Sequence, residues 1–123
     1  MKPAELHDMT TEELVQSFVE NTLAQGEALL DDNLPKFKHL FAQMRANLEE
    51  LKARRGDQRR ALLPLYKHPN LQVRLKVAKN TLAVASKEAL KIIQAIAKSG
   101  EYPQAGEAGM CLHNLERGVF KPT

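Results

Sequence analysis

Apolar residues between His68 and Ala85 follow two separate lines of a helix. One line recurs at spacings of three and four residues and comprises Leu71, Leu75, Ala78, Leu82 and Ala85. The second line comprises Val73, Val77 and Val84, and at about 100° per residue it lies more than a third of a turn from the first. Because a helix with two apolar faces must be covered on two sides, the pattern predicts a central helix within a stack of helices.

A long helix with one apolar face is predicted before it, from Thr10 to about Leu30. Thr10 and Glu13 have the spacing of a capping box, in which the N-cap hydroxyl and the third helical residue satisfy each other's backbone N–H. Leu14 and Phe18 begin an apolar face that continues to the end of this segment.

A second long helix is predicted to end at about Arg55. Asn33 or Leu34 is its expected N-cap, because Pro35 suits a first turn. Its apolar stripe has the most regular spacing in the chain and comprises Phe37, Leu40, Phe41, Met44, Leu48 and Leu51. Two long helices joined by a short turn predict an antiparallel hairpin.

Three shorter helices complete the pattern. Residues 58–67 should bend or end early at Pro64, residues 87–99 should follow a Ser86 cap, and Tyr102-Pro103 should open a helix to about Arg117. Since no segment alternates like a strand, we expect an all-α fold of about six helices in stacked antiparallel pairs. Residues 1–123 are expected to form a single domain, with a loose leader (1–9), a helical array (10–118) and a tail (119–123).

The segment around the central helix resembles one repeat of a HEAT or armadillo-type helical array. The residues that carry the resemblance are Leu62-Leu63-Pro64-Leu65, His68-Pro69-Asn70, Val73-Arg74 and Ala78. The resemblance implies an α-α superhelix whose inner helix begins at the Val-Arg pair. Arg74 lies between the two apolar lines and can bond the carbonyls or acids of a neighbouring turn. The segment is shorter than the roughly 40 residues of a HEAT repeat, and it lacks the acidic residue that is common in the turn between the helices.

The whole chain also resembles a small bacterial family that has a HEAT-like fold and no assigned function. The resembling blocks are Ala28-Leu29-Leu30-Asp31-Asp32, Ala61-Leu62-Leu63-Pro64-Leu65, His68-Pro69-Asn70 and Pro103-Gln104-Ala105-Gly106-Glu107-Ala108-Gly109-Met110. This resemblance implies a fold and brings no catalytic residues with it.

Length and composition indicate a cytoplasmic protein without a membrane partner. A chain of 123 residues has the length of one domain, and its single cysteine, Cys111, excludes an intrachain disulfide and suits a reducing compartment. The acidic start of the chain is unlike a signal peptide. No apolar run approaches the roughly 20 residues of a membrane helix.

Charge is unevenly distributed along the chain. Residues 1–33 have a net charge of −7, residues 34–99 have +11 and residues 100–123 have −1. The favoured interpretation is that the acidic first helix lies beside the basic helices and neutralises them internally. The alternative is that the basic segment meets an acidic partner.

No set of residues has the spacing of a catalytic or metal site, so we expect a protein that is not an enzyme and holds no cofactor or metal. On a helix, Cys111 and His113 point about 200° apart and cannot chelate one ion alone. Gly106 and Gly109 lack the strand and the Lys-Ser or Lys-Thr of a phosphate loop.

The leading functional hypothesis is a non-enzymatic protein-interaction module with an unknown protein partner. The candidate contact residues are Lys52, Arg55 and Arg59 around the end of the second helix, Gln72, Arg74, Lys76 and Lys79 on the central helix, and Tyr102 in a loop. We place Gln72, Lys76 and Lys79 on the polar face of the central helix. Tyr102 could instead pack on Phe120 of the tail.

Two further partners are considered. Weak binding of a nucleic-acid backbone to the basic residues is the alternative function, although Trp is absent and few aromatic side chains could stack on bases. A homodimer is also expected, because a short helical array leaves two apolar ends that must be capped or paired.

Overall fold

The computed structural model describes the backbone from Pro3 to Thr123 and the side chains from Glu5 onwards. All secondary structure in this part of the chain is helical, which confirms the predicted all-α class. The helices are α1 (Pro3–His7), α2 (Thr11–Leu30), α3 (Leu34–Ala53), a 3₁₀ helix (Gln58–Lys67), α4 (Leu71–Thr81), α5 (Ser86–Ala97) and α6 (Gln104–Glu116). The chain divides into two compact units, Met1–Leu62 and Leu63–Thr123. The expectation of a single domain stays a prediction.

The first unit is built on the predicted hairpin of α2 and α3. The capping box is confirmed, since Thr10 Oγ1 accepts a hydrogen bond from the Glu13 amide at 3.1 Å and Glu13 Oε1 accepts one from the Thr10 amide at 2.9 Å. Asn33 caps α3, because its Oδ1 accepts a bond from the Lys36 amide at 3.2 Å. Of the two residues considered for this cap, the structure therefore selects Asn33.

The expected loose leader is wrong where the structure describes it. Residues Pro3–His7 form the short helix α1, and Leu6 is buried. Arg54, which follows α3, donates hydrogen bonds to the carbonyl oxygens of Leu6 at 3.1 Å and Met9 at 2.6 Å. This long-range anchor is invisible in the local pattern of the leader. Met1 and Lys2 lie outside the described residues.

The second unit packs α5 and α6 against the leucine line of α4. Its core consists of Leu75, Ala78, Leu82, Ala89, Ile93, Ile96, Ala108 and Cys111. On the other line of α4, Val73 and Val77 are completely buried. The prediction that α4 is covered along both apolar lines is therefore confirmed within the helix, while Val84 lies beyond its end and is half-buried.

The helix α4 ends at Thr81, four residues earlier than predicted. The Thr81 carbonyl oxygen accepts hydrogen bonds from the amides of Val84 at 3.0 Å and Ala85 at 2.8 Å, which form a tight turn. The expected Ser86 cap is also wrong, because the Ser86 hydroxyl donates to the Leu82 carbonyl at 2.6 Å instead of accepting from the first turn of α5. The predicted end of α4 and the predicted Ser86 cap were both wrong because apolar residues keep helical spacing through this turn. The pattern therefore does not show where α4 ends.

Candidate functional site

A row of polar side chains joins α4 to α6, and we name it the α4–α6 polar seam. It comprises Gln72, Lys76, Lys79, Gln104 and Glu107. Gln104 Nε2 donates to Gln72 Oε1 at 2.9 Å. The Nζ atoms of Lys76 and Lys79 both donate to Glu107 Oε2, at 2.5 Å and 3.1 Å. Since the first turns of the two helices pair with each other, α4 and α6 run parallel.

The seam corrects the prediction of a solvent-facing polar surface on α4. Gln72 and Lys76 are buried, with Lys76 only 3% exposed, and a partner protein cannot reach them in this fold. Lys79 is half-buried against Glu107. The alternation of polar and apolar residues on α4 correctly placed these side chains on one face, but it could not show that α6 brings a carboxylate to that face.

Burial and charge act in opposite directions on the seam. Burial lowers the pKa of Lys76, and the Glu107 carboxylate opposes that shift. Burial would raise the pKa of Glu107, but the ammonium groups of Lys76 and Lys79 outweigh it and hold that pKa below its ordinary value. Glu107 is therefore ionised at neutral pH and neutralises charge inside the unit.

Cys111 lies close to the seam without forming a reactive centre. Burial raises the pKa of its thiol, which therefore stays protonated at neutral pH and is a poor nucleophile. His113 is exposed, so the structure does not bring the thiol and the imidazole together with an acid. Among the described residues, no three His, Cys, Asp or Glu side chains are grouped to hold a metal ion.

The predicted basic residues of the first unit differ in accessibility. Arg59 is buried and forms a two-point ion pair with Asp57, at 2.9 Å for Nε–Oδ1 and 2.7 Å for Nη2–Oδ2, so it is not available as a partner contact. This pairing also lowers the pKa of Asp57. Lys52 is half-buried, and Arg55 is exposed.

Arg74 has the structural role that the sequence suggested for it. Its Nη1 donates to the carbonyl oxygens of His68 at 2.8 Å and Pro69 at 3.0 Å, in the turn that precedes α4. Asn70 caps the same helix by accepting a bond from the Val73 amide at 3.1 Å. The Arg74 guanidinium is thus engaged in holding the turn.

Tyr102 is the candidate that the structure leaves most exposed, at 73%. Two of its ring carbons lie 3.6 Å from the position that a Cβ would occupy on Gly106, so the ring lies over this glycine. Met110 follows one turn later on the same face of α6 and is 59% exposed. We call Tyr102, Gly106 and Met110 the α6 surface patch. Phe120 packs against the core of the unit, and the alternative packing of Tyr102 on Phe120 stays a prediction.

A cavity between α2 and α3 was missed in the sequence. It measures about 230 Å³ and lies in the first unit. Polar side chains bridge the two helices beside it: Asn21 Nδ2 donates to the Leu40 carbonyl at 2.9 Å, and Asn47 Nδ2 donates to the Leu14 carbonyl at 3.0 Å. Asn21 and Asn47 follow Leu14 and Leu40 by seven residues, so helical spacing places both on the apolar faces of α2 and α3. Only the paired helices show which carbonyl groups they bond.

The sequence profile of one family matches residues 12–116, and that family is described as Domain of unknown function (DUF2019). The chain belongs to the DUF2019 family. The chain is similar to the protein RPA1889 from Rhodopseudomonas palustris CGA009, whose crystal structure is known. The two sequences are 52% identical, and the two structures superpose with a TM-score of 0.93. The similarity covers 96% of this chain and 98% of that one. No functionally curated protein matches this DUF2019 protein.

These similarities confirm the expected membership of a family without assigned function and show that the helical fold occurs in a bacterial protein. The HEAT-like architecture stays a prediction. Within Pro3–Thr123, none of the helices combines the length and apolar character needed to cross a bilayer.

Proposed function

We propose that this DUF2019 protein is a non-enzymatic helical-repeat module that binds another protein through the α6 surface patch. The observation that carries the proposal is the exposure of Tyr102, just before α6, and of Met110 on α6. Tyrosine and methionine are both enriched in protein interfaces, because each offers a large apolar surface that adapts to a partner. The patch is also where a sequence-derived candidate, Tyr102, remains accessible.

The surroundings of the patch suit an interface. The Tyr102 ring lies over Gly106 and covers that part of the α6 backbone, so the tyrosine itself is the surface that a partner would meet there. His113 on α6 and Arg117, directly after the helix, are exposed polar residues. An apolar centre with a polar rim is the usual organisation of a protein–protein contact.

We further propose that the 3₁₀ helix and α4 form one HEAT-like repeat, which α5 and α6 follow. The bonds from Arg74 to His68 and Pro69 support this, because they fix the turn before the inner helix as the resemblance implies. The packing of α4 against both α5 and α6 also supports it. In such arrays a partner binds a surface built from successive helices, and here α6 carries the exposed residues.

Affinity purification from the native cells tests the proposed surface. The tagged wild-type protein should retain a partner that Tyr102→Ser/Met110→Ser loses, because the double substitution removes the apolar centre of the contact. The matched control is Leu30→Ser/Leu34→Ser, which removes two exposed apolar side chains at the α2–α3 turn. A partner retained by the first variant, or lost equally from both, would count against the α6 surface patch.

Weak nucleic-acid-backbone binding remains the alternative proposal, supported by the exposed Arg55 beside α3. The internal pairing of Arg59, Lys76 and Lys79 weakens it, because those charges already neutralise carboxylates. A salt titration with duplex and single-stranded oligonucleotides decides the question, since phosphate contacts are strongest at low salt. Absence of binding at low salt removes this alternative.

A further inference from the structure

A groove in the second unit lies between the turn after α4, the start of α5 and the end of α6 with the tail. Its volume is about 500 Å³, which is within the range of sites for small ligands. It shares no residue with the α6 surface patch. We name it the α5 groove, and its lining residues are Leu82, Ala83, Ser86, Leu90, Leu115 and Pro122.

The lining of the α5 groove is apolar apart from Ser86. The Ser86 hydroxyl donates to the Leu82 carbonyl at 2.6 Å, so the lining side chains offer a ligand no free hydrogen-bond donor. Leu90 is half-buried and Ala83 is exposed, so part of this apolar surface faces water. An occupant therefore gains affinity by covering the lining with hydrocarbon.

Two lysines of α5 stand beside this lining. Lys87 precedes Leu90 by three residues, and side chains at that spacing are neighbours on a helix. Lys91 follows Leu90 directly and is four residues from Lys87, so the two ammonium groups repel each other. Both lysines are exposed, and no ion pair among the described residues involves either of them. An anion placed between them would relieve this repulsion.

The acidic residue of α5 lies on another side of the helix. At about 100° per residue, Glu88 is about 160° around the helix from both Ser86 and Leu90. Lys87 is only about 60° from Leu90 by the same count. The side of α5 that borders the groove is therefore positive.

The charges of the other walls nearly cancel. On α4, Lys79 is three residues from Leu82, but Glu107 neutralises it. At the end of α6 and in the tail, the basic groups are Arg117 and Lys121, and the acidic groups are Glu116 and the terminal carboxylate. The two lysines of α5 are thus the excess charge near the groove, which favours an anionic ligand.

An alkyl chain suits this lining better than a peptide does. A peptide would bring backbone N–H and C=O groups against side chains that cannot satisfy them, and burying such groups without partners is costly. An unbranched hydrocarbon brings no polar group. A charged end group can remain in water at the edge of the groove, so it does not lose its hydration.

We propose that the α5 groove binds a free fatty acid. The alkyl chain lies against Leu90, Leu115 and Pro122, and the carboxylate remains at the edge of the groove near Lys87 and Lys91. The apolar lining selects the chain, and the pair of lysines selects the carboxylate.

Nuclear magnetic resonance of the methyl groups of Leu82, Leu90 and Leu115 tests this site. The probes share one unbranched alkyl chain and differ in charge: octanoate, the neutral 1-octanol and the cationic octylamine. We expect saturable shifts with octanoate, about three-fold weaker binding of 1-octanol and about ten-fold weaker binding of octylamine, because repulsion then replaces attraction. An acetylated peptide of two leucines and one aspartate should bind more weakly than octanoate.

Lys87→Gln tests the selection of the carboxylate. It should weaken binding of octanoate about three-fold and leave binding of 1-octanol unchanged, because the alcohol has no charge to lose. The matched control is Lys98→Gln, at an exposed lysine directly after α5. Lys98 is about 16 Å along the helix axis from Lys87, beyond the reach of screened charges at physiological salt, so its loss should not change binding.

Ala83→Phe tests the position of the site. Because Ala83 is exposed, the new ring can occupy the groove without entering the core, and it should weaken binding of all three alkyl probes about ten-fold. The matched control is Ala95→Phe, at an exposed alanine half a turn around α5 from Ser86. If Ala83→Phe does not fold, the three probes on the wild type and the two lysine variants decide.

No saturable shift of the three leucine methyl groups with octanoate would overturn the proposal. Binding of octylamine as tight as that of octanoate, or an equal loss in Lys87→Gln and Lys98→Gln, would overturn the role of the lysines. An equal loss in Ala83→Phe and Ala95→Phe would overturn the assignment to the α5 groove. Tighter binding of the peptide than of octanoate would overturn the choice of a fatty acid as the occupant.

Discussion

Lys76 is a charged side chain that the fold buries almost completely, and Glu107 makes this burial tolerable. A buried ion pair rarely adds net stability over an apolar pair, but removing one partner leaves an uncompensated charge. The same pair also explains why Lys76 and Lys79 looked like a binding surface in the sequence. Their partner lies 28 to 31 residues away on another helix.

A double-mutant cycle at Lys76 and Glu107 measures this dependence. Glu107→Leu alone should lower the free energy of unfolding by about 3 kcal/mol, because Lys76 remains buried without its carboxylate. Lys76→Met/Glu107→Leu should return within about 1 kcal/mol of the wild type. Urea denaturation gives both values. If the double variant loses as much as the two single variants together, the side chains are not coupled.

Glu107 should also give stability a dependence on acid pH. Its pKa is lower in the folded than in the unfolded protein, so the stabilisation is complete above its ordinary value of 4.5 and is lost as pH falls through the lowered folded value. Melting temperatures measured from pH 7 to pH 3 should therefore fall further for the wild type than for Glu107→Gln. Parallel curves for the two proteins would contradict the ionised state of Glu107.

Cys111 should be chemically inert in the folded protein. Its thiol is buried and its pKa is raised, so the reactive thiolate is scarce at neutral pH. We expect alkylation by iodoacetamide at pH 7 to be at least about ten-fold slower than that of free cysteine. The same reaction in 8 M urea is the control for access. Fast alkylation without denaturant would reopen the case for a nucleophilic role.

At the scale of helices, the capping box of α2 is a local device that the sequence predicts completely. Thr10→Ala should destabilise the protein by about 1 kcal/mol, because the Glu13 amide loses its acceptor. Thr10→Ser is the matched control, since it keeps the hydroxyl and should retain most of the stability. Thermal unfolding measures both variants, and an equal loss in the two would show that the hydroxyl is not what matters.

Helix starts were easier to predict than helix ends and long-range contacts. The side chains of Asn33 and Asn70 accept hydrogen bonds from amides three positions away. A short stretch of sequence is therefore enough to predict these helix starts. The end of α4 depends on a turn at Thr81 whose residues keep apolar spacing, and the pattern ran past it to Ala85. The segment that contains α1 is held by Arg54, which donates to the Met9 carbonyl from 45 residues away in the sequence.

The candidate sites show the same limit. Tyr102 was identified because a loop tyrosine beside a proline needs no distant information. The burial of Gln72 depends on α6, and the bond from Asn47 to the Leu14 carbonyl becomes visible only when α3 lies against α2. Residue types in the sequence could not distinguish a charge that binds a partner from one that completes the core.

For the whole molecule, the expected homodimer can be measured directly. Light scattering at high concentration should give twice the 13.8 kDa of one chain. A mass of one chain for the wild type at every concentration would exclude the dimer.

The DUF2019 fold is shared along nearly the whole chain with a bacterial protein of known structure. A shared helical fold does not assign a function, which resides in particular surfaces. Most of the charged candidates of this chain stabilise the fold, whereas Arg55 and Tyr102 of the α6 surface patch remain exposed.

Photo-crosslinking in the native cells tests that surface most directly. A photoreactive phenylalanine analogue replaces Tyr102 or Met110 in two separate variants. A third variant carries the analogue at Leu30, which is an exposed apolar residue outside the patch and controls for crosslinking that depends on exposure alone. We predict one discrete adduct with another protein from positions 102 and 110, and none of that mass from position 30. An adduct from position 30 alone, or no adduct from either position 102 or position 110, would contradict the proposal that this protein binds its partner through the α6 surface patch.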